Sequence, residues 1–368
     1  STILTSLIYG ELDVKTKGST PANIFGELLA KNEGAQGEAQ YIYSGDWLNV
    51  ITGLRMYDVD GESKARALRP VEVQGSKIHY NIQHETGYAY ANLTMPQNAT
   101  WTLGFTYDNY NQDDLDSRVF SPVLGLQWQI TKDVRVRLAG FRAVKPALIA
   151  DQVIQPTQIA SFNQFFDDAN GTDYWFYGAG VDVCPIPALC GGVEVSQRYL
   201  NTRAFDDGVG REDRHIDQQE TLYRSYLYWT PGKEWALTLG LQYDEYESGN
   251  DGVQFGFPSK VDTFTLPFNV RYFSPLGFFA QFGGSFVQQD VSRGGSTKSE
   301  GDDTYTIFDT AIGYRLPERR GTISLEARNI FGTQVKFQDD TFRRFGSEST
   351  IGRYLPERSV IAFVTLNL

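Results

Sequence analysis

Apolar and polar residues alternate in steps of two along most of the chain. In "WTLGFTYD", Trp101, Leu103, Phe105 and Tyr107 share one face, and Thr102, Gly104, Thr106 and Asp108 share the other. "VRVRLAGF" alternates Val134, Val136 and Leu138 with Arg135 and Arg137. "EWALTLGLQYD" sets Trp235, Leu237, Leu239, Leu241 and Tyr243 against Thr238, Gly240 and Gln242. "TISLEARN" sets Ile323, Leu325 and Ala327 against Ser324, Glu326 and Arg328. A period of two marks β-strands whose two faces meet different surroundings. It predicts strands near 2–14, 36–45, 47–58, 78–94, 99–111, 119–131, 133–145, 172–184, 190–202, 217–230, 233–247, 260–274, 276–290, 303–316, 319–332 and 357–368.

A water-soluble sandwich alternates as well, but three features point elsewhere. Many of these strands are about twice the globular norm of about five or six residues. Their apolar rows begin or end in Trp, Tyr or Phe, as girdles at two membrane interfaces require. The links also alternate in length. Tight turns ("GD", "MPQNA", "TK", "PIPAL", "PG", "P" and "PE") take turns with long links at 15–35, 59–77, 112–118, 146–171, 203–216, 248–259, 291–302 and 333–356. Short turns at one end and long loops at the other predict an all-β fold: a transmembrane antiparallel β-barrel of about sixteen strands, with periplasmic turns and extracellular loops. The expectation is one domain over 1–368 in a Gram-negative outer membrane. The opening "STILTSLIYGEL" already reads as strand, which suggests a processed protein or a piece of a longer one. The closing "ERSVIAFVTLNL" reads as the strand that seals the barrel and ends it.

Composition refines this picture. Tyr 21, Phe 24 and Gly 36 in 368 residues suit β structure. No run of roughly 18 uncharged apolar residues marks a transmembrane helix. The net charge of -12 argues against a nucleic-acid partner. Cys184 and Cys190 flank "PIPAL", which favours a local disulfide and an oxidising compartment over a metal site. Acidic stretches at 108–116, 205–213, 244–251 and 300–303 fit solvated loop tips or divalent-cation contacts to lipopolysaccharide; none matches a full calcium-loop consensus. The histidines are His79, His84 and His215. His84 and Thr86 share a row, yet no catalytic triad assembles, so neither an enzyme nor a cofactor is expected.

The polar rows supply the candidate chemistry. Glu38, Arg55, Asp108, Arg135, Arg137, Asp182, Glu194, Arg198, Arg224, Arg271, Glu326 and Arg328 are expected to line the lumen. There they either bias passage towards anionic or polar solutes or pair across strands and hydrate the wall. The stretch 141–177, "FRAVKPALIADQVIQPTQIASFNQFFDDANGTDYWFY", is neither strand nor helix in its middle. Its apolar residues need something to bury against. The expectation is a constriction loop folded inward, carried by Phe162, Phe165, Phe166, Asp167 and Asp168. Pro146 and Pro156 would stiffen it and Gly171 would supply the return turn. The rival expectation is that these residues only extend the seventh and eighth strands.

Several segments resemble the barrel of TonB-dependent receptors. "NGTDYWFYGAGVD" carries Tyr174, Tyr177, Gly178, Gly180, Val181 and Asp182 in that family's strand pattern. "ARNIFGTQVKFQD" is similar to its Asn-Leu-Phe-Asp element through Asn329, Ile330 and Phe331, and "PERSVIAFVTLNL" looks like its final strand. No plug domain or TonB box is present in these residues, and the last is Leu368 where the family usually ends in Phe. "IQPTQIASFNQFFDDANGTDYW" looks closer still to barrels that follow a periplasmic tetratricopeptide-repeat region, a resemblance implying exopolysaccharide export. The expected function is a channel that conducts or exports a polar solute or polysaccharide. The alternatives are the barrel of an uptake receptor or a blocked structural barrel. Expected partners are outer-membrane lipid, lipopolysaccharide and a periplasmic repeat domain, with a homotrimer left open.

Overall fold

The computed structural model describes residues 1–19, 25–68, 72–112, 115–146, 152–164, 168–204, 214–250, 253, 258–292, 301–334 and 358–366. Sixteen strands pair in chain order into one sheet: β1 (Thr2–Ser19), β2 (Phe25–Ser44), β3 (Leu48–Leu68), β4 (Glu72–Thr94), β5 (Ala99–Gln112), β6 (Leu115–Thr131), β7 (Val134–Val144), β10 (Asp173–Ile186), β11 (Leu189–Ala204), β12 (Arg214–Trp229), β13 (Trp235–Ser248), β14 (Lys260–Phe273), β15 (Phe278–Ser292), β16 (Gly301–Arg315), β17 (Gly321–Arg328) and β18 (Ser359–Leu366). Between β7 and β10, β8 (Gln158–Ile159) and β9 (Phe162–Asn163) form a small antiparallel ribbon of their own. The chain divides into two compact units. The first comprises Ser1–Gln127, Leu138–Phe176 and Asn201–Arg214; the second comprises Trp128–Arg137, Tyr177–Leu200 and His215–Leu368.

Within each unit the sheet is inside out relative to a water-soluble protein. In the first, Leu54 is 69% exposed and Met56 59%, while Arg55 and Tyr57, between and beyond them, are each 2% exposed. In the second, Val193 and Val195 are exposed and Glu194 and Ser196 are buried. Large apolar side chains left bare while charged ones are covered is what a sheet with hydrocarbon on one face requires. Rings also gather near the tight turns, where Trp235 lies 4.9 Å from Tyr272.

Strand ends differ from the sequence reading in two informative ways. The first two long links, expected at 15–35 and 59–77, are largely strand: β1 pairs with β2 as far as Ser19↔Phe25, and β3 with β4 as far as Leu68↔Glu72. A strand crossing an apolar layer needs only about 9–11 residues. Beyond that layer the hydrogen-bond ladder continues, but no apolar row is needed and the alternation disappears. Charge pairs hold these extensions instead: Lys31 with Glu11, and Glu62 with Lys64 and Lys77. Hydrogen bonds from Lys64 and then Lys77 bring the Glu62 carboxyl down to about 2. At the other end of the chain, β17 stops at Arg328 instead of reaching 332. Asn329 sits at φ 47, its N–H donates to Asp309 Oδ1 (2.8 Å), and its Oδ1 accepts from the Thr333 N–H (2.8 Å), a side-chain turn that ends the ladder.

Tyrosines crossing glycines tie strands together on the polar face. Tyr88 of β4 lies across Gly53 of β3 and donates to Glu38 Oε1 of β2 (2.8 Å). Tyr80 lies across Gly61 and donates to Asn32 Oδ1 (2.6 Å). In the second unit Tyr226 of β12 lies across Gly192 of β11 and donates to Asp182 of β10. A Cβ on any of these glycines would overlap the ring above it.

Candidate functional site

The segment between β7 and β10 lies in the first unit and is pinned at its base. The Lys145 N–H donates to Thr172 O (2.8 Å) and the Gly171 N–H to Lys145 O (2.9 Å). Gly171 takes φ +77, and a Cβ there would stand 2.9 Å from the Tyr110 ring. Gly171→Ala is therefore expected to lower stability by about 1–2 kcal/mol from the left-handed backbone alone. A urea titration of the refolded barrel checks this, and an unchanged midpoint would contradict it.

From this base the segment packs onto the polar face rather than extending β7 and β10. Ile159, Ala160 and Phe162 are buried, and the Phe162 ring sits 5.5 Å from Phe176, which stacks on Phe141 at 4.6 Å. The inward row of β7 changes character to receive them, passing from Arg137 to Ala139, Phe141 and Ala143, all buried. Phe165, Phe166 and Asp167 lie outside the described residues, and Asp168 is half-buried.

The first part of the segment is clasped by polar side chains. Glu38 accepts the N–H of Ile154 on Oε2 and that of Gln155 on Oε1, both at 2.8 Å. On either side of Glu38, Gln36 donates to Gln152 O (2.6 Å) and Gln40 to Ile154 O (2.7 Å). The Gln155 side chain is held at both ends: Arg55 donates to its Oε1 (2.5 Å) and its Nε2 donates to the Tyr90 hydroxyl (2.7 Å). Gln164 Nε2 donates to the same hydroxyl (3.0 Å), and Tyr174 donates to Gln164 O. Glu38 and Arg55 thus hold the loop rather than facing open water.

In the second unit the expected lining residues form a charged ladder. Asp182 accepts from Arg135 Nε (2.8 Å), Arg137 Nε (2.8 Å) and Tyr226. Arg137 also donates to Glu194 (3.1 Å), which Arg224 reaches at 2.7 Å, and Arg198 donates to Glu220 (2.8 Å). Arg137 is buried in this net, whereas the side chains of Arg135 and Arg224 are 41% and 47% exposed. Arg271 is exposed, and Arg328 pairs with Glu326 at 3.1 Å. A disulfide joins Cys184 to Cys190 across the β10–β11 turn.

No protein-family model and no curated protein sequence matches this chain. Solved structures do. The chain is similar to the copper transporter OprC (10% identity, TM-score 0.65, covering 89% of this chain and 56% of that one). It is also similar to the ferric yersiniabactin uptake receptor FyuA from Yersinia pestis (12%, TM-score 0.65, covering 90% and 54%). A third likeness is to the ferric-catecholate import receptor Fiu from K12 E. coli (13%, TM-score 0.59, covering 93% and 58%). The chain folds as a TonB-dependent-receptor-like β-barrel. That is the fold of Gram-negative outer-membrane receptors and transporters. The chain spans little more than half the length of these proteins.

In this receptor-like barrel, Asp108 belongs to β5 and not to a loop tip. It accepts from Thr86 (2.8 Å) and Thr106 (2.9 Å) and meets His84 Nε2 at 3.0 Å. Thr86 and Asp108 approach the same ring nitrogen of His84, so no hydroxyl–imidazole–carboxylate relay forms. His79 is exposed, 3.7 Å from Glu62. Sequence reasoning missed Gln36, Gln40, Tyr88, Tyr90, Gln155 and Gln164. The one available signal was the loss of charge in the upper inward row of β7, which marks a wall covered by protein.

Proposed function

We propose that this chain is the barrel of a ligand-uptake receptor and that the loop between β7 and β10 obstructs its lumen. The observation that carries the reading is the clasp at Glu38: the polar face an open channel would leave to water is instead bonded to main chain. The fold likeness supports the same class, since the similar proteins are a copper transporter and receptors for ferric chelates. The cargo class proposed by analogy is a small metal chelate. On this reading residues 1–368 act as one barrel domain surrounded by outer-membrane lipid and lipopolysaccharide. Polysaccharide export is the second reading, and it rests on the sequence resemblance near 154–175.

Cells carrying the full-length protein and starved of iron or copper separate the two. Accumulation of a radiolabelled ferric or copper chelate above that of cells lacking the gene is the expected result. No accumulation across a panel of chelates, together with gene-dependent polysaccharide in the medium, would replace uptake by export.

A further inference from the structure

We propose that the inward row of β2, with Arg55 and Tyr90, is a recognition site for an extended peptide segment, and that Gln152–Pro156 is its resident occupant. The inference goes beyond the chelate-uptake reading and is carried by the clasp alone.

The contacts are those of a site that reads main chain. Two amide donors, Gln36 and Gln40, take the carbonyls of Gln152 and Ile154, and one carboxylate between them takes two consecutive N–H groups. Donors and acceptor lie at alternate positions of one strand face, so all three side chains point the same way. The carboxylate is itself oriented by Tyr88, which Gln40 also touches (3.1 Å). Only one side chain of the occupant is read. The carboxamide of Gln155 is met by Arg55 at its oxygen and by the Tyr90 hydroxyl at its nitrogen, a pairing that an apolar side chain such as Leu could not make. A loop that served packing alone would be held through its apolar residues, as Ile159 and Phe162 are further along. Here four main-chain groups and one amide are read instead, a set that a free peptide carrying a glutamine would present equally well.

A tethered occupant competes at an effective concentration in the millimolar range, so a free ligand binds visibly only when the tethered one is weakened. The probe is the blocked, fluorescent pentapeptide Gln-Val-Ile-Gln-Pro, and the readout is anisotropy with the refolded barrel in detergent. Two variants weaken the occupant and leave the receiving row intact: Gln155→Ala, and Ile154→Pro combined with Gln155→Ala. Expected is saturable binding to at least one of them, at least tenfold tighter than to the wild type, and lost when Glu38→Ala is added. No saturable binding to either variant, or binding that survives Glu38→Ala, overturns the proposal. Neither result touches chelate accumulation by wild-type cells, and failed chelate uptake leaves the peptide titration interpretable.

Discussion

Glu38→Ala is expected to raise single-channel conductance in a planar bilayer, and deletion of Ile149–Asn170 to raise it further. Glu38 accepts the N–H groups of Ile154 and Gln155 and the hydroxyl of Tyr88, all at 2.8 Å. Removing the carboxylate leaves these buried donors unsatisfied at about 1–3 kcal/mol each. A loss of about 3 kcal/mol in the docking of 152–155 increases its released fraction on the order of a hundredfold. Release stops short of the whole loop, because Ile159 and Phe162 remain buried and the base stays pinned at Lys145 and Thr172. The order is therefore wild type, then Glu38→Ala, then the deletion. Glu38→Gln keeps one acceptor and falls between the first two. Equal conductance for all four would mean that the loop does not obstruct the path.

Asp182→Asn is expected to destabilise the second unit and to shift ion selectivity towards anions. Asp182 is the shared acceptor of Arg135, Arg137 and Tyr226. Arg137 is buried and keeps Glu194, so weakening its hydrogen bonds to the other partner costs about 1–3 kcal/mol. Arg135 is half-exposed and adds little to that loss. Its guanidinium, no longer neutralised, adds a positive charge to the polar face. Thermal melts followed by circular dichroism report the first effect, and the reversal potential across a salt gradient reports the second. A lowered melting temperature with an unmoved reversal potential would place the ladder off the ion path.

The strand count was legible because hydrocarbon on one face forces alternation, and Leu54 to Tyr57 show it residue by residue. The extensions of β1 to β4 were not, because outside the apolar layer nothing constrains the exposed row. Of the residues expected to carry an inward loop, Phe162 is buried, and Ile159 beside it is buried too. The clasp did not follow: Gln36 and Gln40 look like any neutral wall residues, and what distinguishes them is main chain more than a hundred positions away. Arg135 and Arg137 likewise read identically in sequence, although one is half-exposed and the other buried. Arg137 also reaches Glu194, a cross-strand pairing that alternation along one strand does not reveal.

The tyrosine–glycine crossings bear on how such a sheet avoids pairing wrongly. A one-residue slip between strands exchanges the two faces and is rejected by the membrane itself. A two-residue slip keeps apolar out and polar in, so hydrophobicity cannot detect it. It would, however, move Tyr88 from Gly53 onto Ile51 or Arg55, and Tyr80 from Gly61 onto Val59 or Ser63, where the ring has no gap to lie in. Each crossing thus works as an alignment mark that only one pairing can satisfy, checking assembly where burial alone is blind.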